Sequence, residues 1–297
     1  RPARVVDVQL GRPASVVRLE SDSGPRTVHA RWVIDASGRH GYLSRRLDLR
    51  RPLHEHPTHA LWARWRGVRD MDGVEYAATS TTGLPTVRAK RRLATNHFCG
   101  LGWWCWVIPL AGGDTSIGLV YDERLFEFPG QGPLRARFET WLRARPGLGE
   151  LLASATIDGD DFLSRRDLAY RAERYADEGW ALVGDAASFL DPFYSPGLDH
   201  LCASAYATAK LVARDLAGTA TGPRLAAEIE RHNASFARSY ERLFRALYRD
   251  KYELFGDAEL VAAAYYLDTA FYFLGLVGPA HRDLEEYAAP PFGRTNP

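Results

Sequence analysis

The chain has 297 residues, 46% apolar and 25% charged, with 38 basic against 37 acidic side chains and a formal net charge of +1. That balance argues against a global field of the kind that draws a protein onto nucleic acid or an anionic membrane. The apolar share suffices for one large or two small cored domains.

In chain order, residues 4–9 and 15–20 alternate apolar and polar, and residues 27–35 end in the apolar run Trp32-Val33-Ile34. With Gly/Pro/Ser/Asp turns between them, they read as three strands, the last delivering Asp35-Ala36-Ser37-Gly38. Residues 53–121 read as strand-rich, notably Trp62 to Trp65, Trp104 to Ile108 and 116–121, the last two joined by a hairpin at Ala111-Gly112-Gly113-Asp114. Residues 133–145 place Leu134, Phe138, Trp141 and Leu142 at helical spacing, with Pro146-Gly147 as the stop. A short apolar strand, Trp180-Ala181-Leu182-Val183, precedes a helix over 198–216. Two long helices are then expected over 228–255 and 260–274, and a loosely ordered tail from Ala288.

The three cysteines, Cys99, Cys105 and Cys202, form no CxxC pair. So sparse and odd a set argues against a disulfide framework and for a reducing, cytoplasmic setting. No run reads as long enough to span a bilayer, and no signal peptide opens the chain. Arg1 stands in mid-pattern, so upstream sequence is expected to precede it. His54-Glu55-His56-Pro57-Thr58-His59 lacks an anchoring ligand cluster. It reads as a solvated loop or strand entry rather than a metal site.

Residues 180–197, Trp-Ala-Leu-Val-Gly-Asp-Ala-Ala-Ser-Phe-Leu-Asp-Pro-Phe-Tyr-Ser-Pro-Gly, carry the strongest chemical signal. An apolar strand delivers an acidic residue at its C-terminal end, where open α/β sheets bind ligands. Gly184 allows close backbone approach, and Asp185 accepts hydrogen bonds from a polyol. The Pro-rich turn then opens a helix whose N-terminus favours negative charge.

Gly184-Asp185-Ala186-Ala187, with Asp191-Pro192 and Ser195-Pro196-Gly197, resembles the second FAD motif of the p-hydroxybenzoate-hydroxylase-like superfamily, in the form of its flavin-dependent halogenase branch. Asp35-Ala36-Ser37-Gly38 resembles the other internal motif. Trp104-Cys105-Trp106-Val107-Ile108-Pro109 matches the Trp-x-Trp-x-Ile-Pro signature of the halogenases. The three occur in the family's order over about residues 1–220.

The resemblance implies an α/β (α+β) fold with an incomplete FAD-binding Rossmann-like domain in two parts, residues 1–50 and 161–220. An antiparallel substrate domain at 51–160 and a helical region at 221–297 complete it. Asp35, Gly38, Gly184, Asp185, Asp191, Pro192, Ser195, Pro196, Gly197 and Leu198 would hold FAD. Trp104 and Trp106 would lie at the substrate; by position alone, His97 would reach the substrate or hydrogen-bond in the core, and Ser195 and Tyr194 would orient the reacting oxygen. Reduced flavin would activate dioxygen to oxygenate or halogenate an aromatic or apolar small molecule, free or carrier-tethered, with a flavin reductase as a candidate partner.

Four departures qualify this. The Gly-x-Gly-x-x-Gly fingerprint is not in this sequence. None of Lys90, Lys210 and Lys251 matches the halogenases' essential lysine. Tyr194 stands where tryptophan halogenases have glutamate, and Pro196 has no N–H to offer a halide. A flavin-dependent prenyl reductase and a non-catalytic module of the same fold are the alternatives.

Overall fold

A computed structural model describes residues 3–73 and 90–278; the tail from Ala288 lies outside them. The chain divides into two compact units. The first comprises the residues up to Leu53, Ala169–Tyr248 and the residues from Tyr265 on; the second comprises His54–Leu168 and Arg249–Ala264.

In the first unit, β1 (Ala3–Gln9), β2 (Ser15–Ser21) and β3 (Gly24–Ala30) form an antiparallel meander. The stretch expected as one strand over 27–35 is two. It breaks at Arg31-Trp32, and β4 (Val33–Asp35) joins a different sheet. The break has a polar cause: the Arg31 guanidinium and the Trp32 indole N–H both donate to the buried Asp215 carboxylate, at 2.6 and 2.8 Å. The helix α1 (Tyr42–Arg46) and strand β5 (Arg50–Pro52) follow.

The second unit is built on five antiparallel strands. These are β6 (Thr58–Arg66), β7 (Asn96–Gly100), β8 (Trp103–Pro109), β9 (Thr115–Asp122) and β10 (Thr156–Arg165), in the order β10-β6-β9-β8-β7. The hairpin between β8 and β9 closes with Leu110 N–H on the Asp114 carbonyl, with Gly112 and Gly113 both left-handed. Strand alternation sends Leu61, Ala63, Trp65, Cys105, Val107, Ile117 and Leu119 to one face. There they pack with Phe138, Trp141 and Leu142 of α2 (Leu134–Arg143) and Leu148 and Leu151 of α3 (Leu148–Leu151).

The chain returns to the first unit through β11 (Tyr170–Ala172), β12 (Ala176–Asp177), β13 (Trp180–Leu182) and β14 (Ser188–Phe189). β13 pairs in parallel with β4, register Trp180↔Val33, Ala181↔Ile34 and Leu182↔Asp35. Its continuous apolar run is explained by burial on both faces. Trp180 and Leu182 pack with Leu43, Tyr175 and Phe236, whereas Ala181 packs with Leu211, Leu225 and Ile229. The latter come from α4 (Gly197–Leu216) and α5 (Pro223–Leu243). Buried Asn233 of α5 pins β12: its carbonyl accepts from the Tyr175 and Ala176 N–H groups, and its amide donates back to the Ala176 carbonyl.

The helix expected over 228–255 is interrupted. A π-helical turn at Phe244–Tyr248 ends α5, and α6 (Lys251–Leu254) restarts separately. The wider turn leaves both Phe244 and Tyr248 buried. α7 (Ala258–Tyr272) runs on into a second π-helical turn, Phe273–Val277. Contrary to the expectation that no apolar run is long enough, Ala258–Val277 has the length and apolarity to cross a membrane, with mean hydropathy 1.5.

Candidate functional site

The two sequence motifs meet at one end of the parallel pair. β4 ends at Asp35 and β13 at Leu182, opposite it, and the Val183 N–H donates to the Asp35 carbonyl at 3.0 Å. The Asp35 carboxylate is buried and turned onto its own loop. One oxygen accepts from the Ser37 N–H at 2.9 Å, the other from the Leu43 N–H at 2.6 Å. Gly38, at φ +62°, makes the turn between them. In this structure Asp35 shapes the loop that ends beside the second motif.

Gly184 also has a left-handed backbone, at φ +55°. A side chain there would meet Leu201 of α4 at 3.1 Å, and the Ser204 hydroxyl already accepts the Gly184 N–H at 2.8 Å. The turn is therefore clamped against α4, which presents Asp185 outward. The Asp185 carboxylate is half-buried and takes no hydrogen bond among the described residues. Burial raises its pKa, and the positive charge of Arg39 opposes that rise only in part. The Arg39 guanidinium lies over the rings of Tyr170 and Phe189, 4.8 Å from each, and Arg50 lies 3.4 Å above Tyr170. The Tyr170 hydroxyl donates to the Asp185 carbonyl, and burial pushes it up to about 12.

The following segment is a braced, strained turn. Buried Asp191 accepts from the Phe193 N–H at 2.9 Å, Ser195 N–H donates to the Pro192 carbonyl at 2.9 Å, and the Tyr248 hydroxyl donates to the Phe193 carbonyl at 2.9 Å. Tyr194 and Ser195 are both left-handed, at φ +68° and +55°. Each such residue costs about 1 kcal/mol or more, and strain of this kind concentrates at ligand sites. Pro196 caps α4, and Gly197 is its first residue.

A cavity of about 340 Å³ opens against this turn. Its wall includes Asp185, Asp191, Tyr194, Pro196 and Gly197 from the motif. Ser195 is exposed and outside that wall, and Leu198 points out, 73% exposed. His200, which sequence reasoning left out of the site, does line the cavity. Its Nε2 is 2.9 Å from the Ser188 hydroxyl, its ring meets Phe236 edge-on, and burial lowers its pKa to about 4. Sequence reasoning missed Asp268 altogether. It sits on α7, buried, at the cavity wall, and accepts the Tyr194 hydroxyl at 2.8 Å. The available signal was a carboxylate in the middle of an apolar, aromatic helix whose other acid, Glu259, stands in the first turn.

Trp104, Trp106 and His97 come together on the second unit's sheet, on the face opposite α2 and α3. His97 meets Trp104 edge-on at 5.3 Å, and the two indoles lie 5.7 Å apart. Trp104 is buried, its N–H on the Tyr252 hydroxyl at 3.0 Å. Trp106 lies across Gly118 and donates to Ser116 at 3.0 Å. His97, expected either at the substrate or hydrogen-bonded in the core, is exposed on β7. The histidine stretch, expected as a solvated loop or strand entry, leads into β6 and is buried at His56 and His59. His59 uses both ring nitrogens, on Glu123 and on the Asp167 N–H. Cys99, Cys105 and Cys202 are free.

The family model described as tryptophan halogenase matches residues 1–253. The chain is 29% identical over 244 residues to the flavin-dependent halogenase armH1 of Armillaria mellea, covering 78% of this chain and 44% of that protein. It is 31% identical over 196 residues to the sulochrin halogenase gedL of Aspergillus terreus, covering 64% of this chain and 33% of that protein. Among solved structures, halogenase PltM in complex with phloroglucinol and FAD matches with a TM-score of 0.79 at 19% identity, over 99% of this chain and 61% of that one. The flavin-dependent brominase Bmp2 matches with a TM-score of 0.66 at 20% identity, over 98% and 66%. These structures share the fold. The chain spans less than half the length of these two curated relatives. With the family model running through both motif turns and the tryptophan strand, the chain belongs to the tryptophan halogenase family.

Proposed function

We propose that this chain carries the flavin-facing and substrate-facing parts of an FAD-dependent oxidoreductase that halogenates or oxygenates an aromatic small molecule. The observation that carries the reading is Asp185. It is a half-buried carboxylate without a hydrogen-bond partner among the described residues, held outward at the end of a parallel strand and on the wall of a cavity rich in aromatic residues. Such a group is suited to the hydroxyls of a ribityl chain. The neighbouring Arg39 and Arg50 guanidiniums, stacked over Tyr170, place positive charge on the same edge, where a pyrophosphate would be stabilised.

When bound, FAD in its reduced form supplies the activation of dioxygen. The protein's own part is to hold and exclude. The left-handed Tyr194-Ser195 turn and the first turn of α4 would face the ring, where unpaired N–H groups at the helix start favour negative charge. Phe189, Leu190, Tyr240, Leu243 and Leu247 keep the cavity wall apolar, so water is disfavoured beside a reactive oxidant. Pro196 offers no N–H to a halide, whereas Gly197 does. A flavin reductase is the partner this reading requires. The family's aromatic substrates, sulochrin and phloroglucinol among the names its members carry, favour a phenolic substrate.

FAD titration followed by flavin absorbance and fluorescence tests the reading. Asp185→Ala should weaken binding by about tenfold or more, the loss expected for hydrogen bonds to a charged acceptor. Unchanged affinity in Asp185→Ala would remove the residue from the cofactor site.

A further inference from the structure

His200 stands in the first turn of α4, its N–H on the Pro196 carbonyl at 3.0 Å, and it borders the cavity beside the strained turn. Phe236 of α5 supports its ring edge-on at 5.9 Å, and Tyr175 stacks on the same Phe236 at 5.3 Å. Ser188 of β14 serves both rings. It is buried, pinned by pairing with Arg171 of β11, and its hydroxyl lies 2.9 Å from His200 Nε2. The fully buried Tyr175 hydroxyl faces the same Ser188 without closing a hydrogen bond, and no other partner for it stands among the described residues. Burial pushes Tyr175 up to about 12, against the pull of Ser188, so it stays a phenol with a proton to donate.

Counting protons then fixes the histidine tautomer. A buried hydroxyl is costly to leave unpaired, and Ser188 is the acceptor that Tyr175 faces. Ser188 has one proton of its own, and His200 Nε2 is placed to accept it. Burial lowers His200 to about 4, so near neutral pH its ring carries a single N–H. With Nε2 accepting, that proton sits on Nδ1, for which no partner stands among the described residues. We propose that Tyr175 and Ser188 set His200 as a neutral Nδ1–H donor to a carbonyl or ring-nitrogen acceptor of the flavin. His200 would touch the cofactor, and Ser188 and Tyr175 are positioning residues. The proposal rests on the reading of this cavity as flavin-facing and adds a contact that neither motif turn supplies.

Nitrogen-15 NMR of the histidine-labelled, flavin-free chain reads the tautomer, with the His200 signals identified by their loss in His200→Asn. The wild type should show Nδ1 protonated and Nε2 bare. Tyr175→Phe and Ser188→Ala should each move the proton toward Nε2. FAD titration reads the contact. His200→Leu should weaken binding about fivefold to tenfold, and His200→Asn, whose amide N–H falls near the Nδ1 position, should recover most of that loss. Should His200→Leu fail to fold by circular dichroism, the tautomer decides. A wild-type ring protonated at Nε2, or a proton that stays on Nδ1 in both Tyr175→Phe and Ser188→Ala, overturns the hydrogen-bond chain and leaves the flavin reading standing. Unchanged FAD affinity in folded His200→Leu overturns the contact. A wild-type chain that binds no FAD overturns the contact together with the flavin reading, while the tautomer, measured without flavin, still decides the chain from Tyr175 to His200.

Discussion

Replacing Asp35 by Asn tests what that residue does. Both carboxylate oxygens accept a backbone N–H, from Ser37 and from Leu43, and the group is buried. The amide keeps one acceptor and turns an NH₂ toward the other N–H. Hydrogen bonds to a charged acceptor contribute about 1.5–3 kcal/mol each, and a buried donor left unsatisfied costs about 1–3 kcal/mol. A loss of roughly 3 kcal/mol is therefore expected, some relief coming from movement of the loop. For a folding unit of 150–250 residues each kcal/mol lowers the melting temperature by about 2–4 °C, so a drop of roughly 6–12 °C follows. The assay is thermal denaturation of flavin-free protein, followed by near-ultraviolet circular dichroism. A carboxylate whose only task is to touch the cofactor would leave flavin-free stability where it was. A midpoint within about 1 °C of wild type would thus refute the assignment of Asp35 to loop construction.

The remaining predictions concern pH and packing. Burial lowers both His200 and His232 from 6.5 to about 4. The unfolded chain takes up these protons below about 6.5 while the folded one does not. The stability each histidine gives by staying neutral is therefore present above 6.5 and lost as pH falls toward 4, by about 2–3 kcal/mol per site. Melting temperature measured across that window should fall, and His200→Gln should flatten the slope; an equally steep slope in the variant would count against a buried neutral His200. In the second unit, a Cβ at Gly118 would lie 2.1 Å from the Trp106 ring. Gly118→Ala should therefore expel the indole, break its bond to Ser116 and cost about 1–3 kcal/mol, read by denaturation and tryptophan emission. A neutral result would mean that Trp106 has another place to go.

Much of the site was legible because its chemistry is local. The run Trp180 to Val183 could be read as a buried strand from its apolarity alone, and Gly184-Asp185 as the turn that ends it. The hairpin at Gly112-Gly113 followed from the need for left-handed backbone. Alternation placed Trp104 and Trp106 on one face, and pairing across β7 and β8 added His97. Other expectations failed where a distant partner decides the outcome. The strand expected over 27–35 breaks because Asp215, far along the chain, draws in Arg31 and Trp32. Of the two readings of the histidine stretch the strand entry holds and the solvated loop does not, because buried His59 finds Glu123 and the Asp167 N–H.

The sequence by itself determined the elements and the two motif turns, since periodicity, glycine placement and strand apolarity act over a few residues. Only the tertiary structure decided how the motif residues divide their work. Asp35 and Asp191 have near-identical chemistry to Asp185, yet Asp35 braces its own loop, Asp191 braces backbone from the cavity wall, and Asp185 lines the same wall with no hydrogen bond among the described residues. Tertiary structure alone also supplied Asp268. A carboxylate on an apolar helix has no meaning in sequence until packing brings it within 2.8 Å of the Tyr194 hydroxyl. Hydrogen bonds are short-ranged in space and indifferent to separation along the chain.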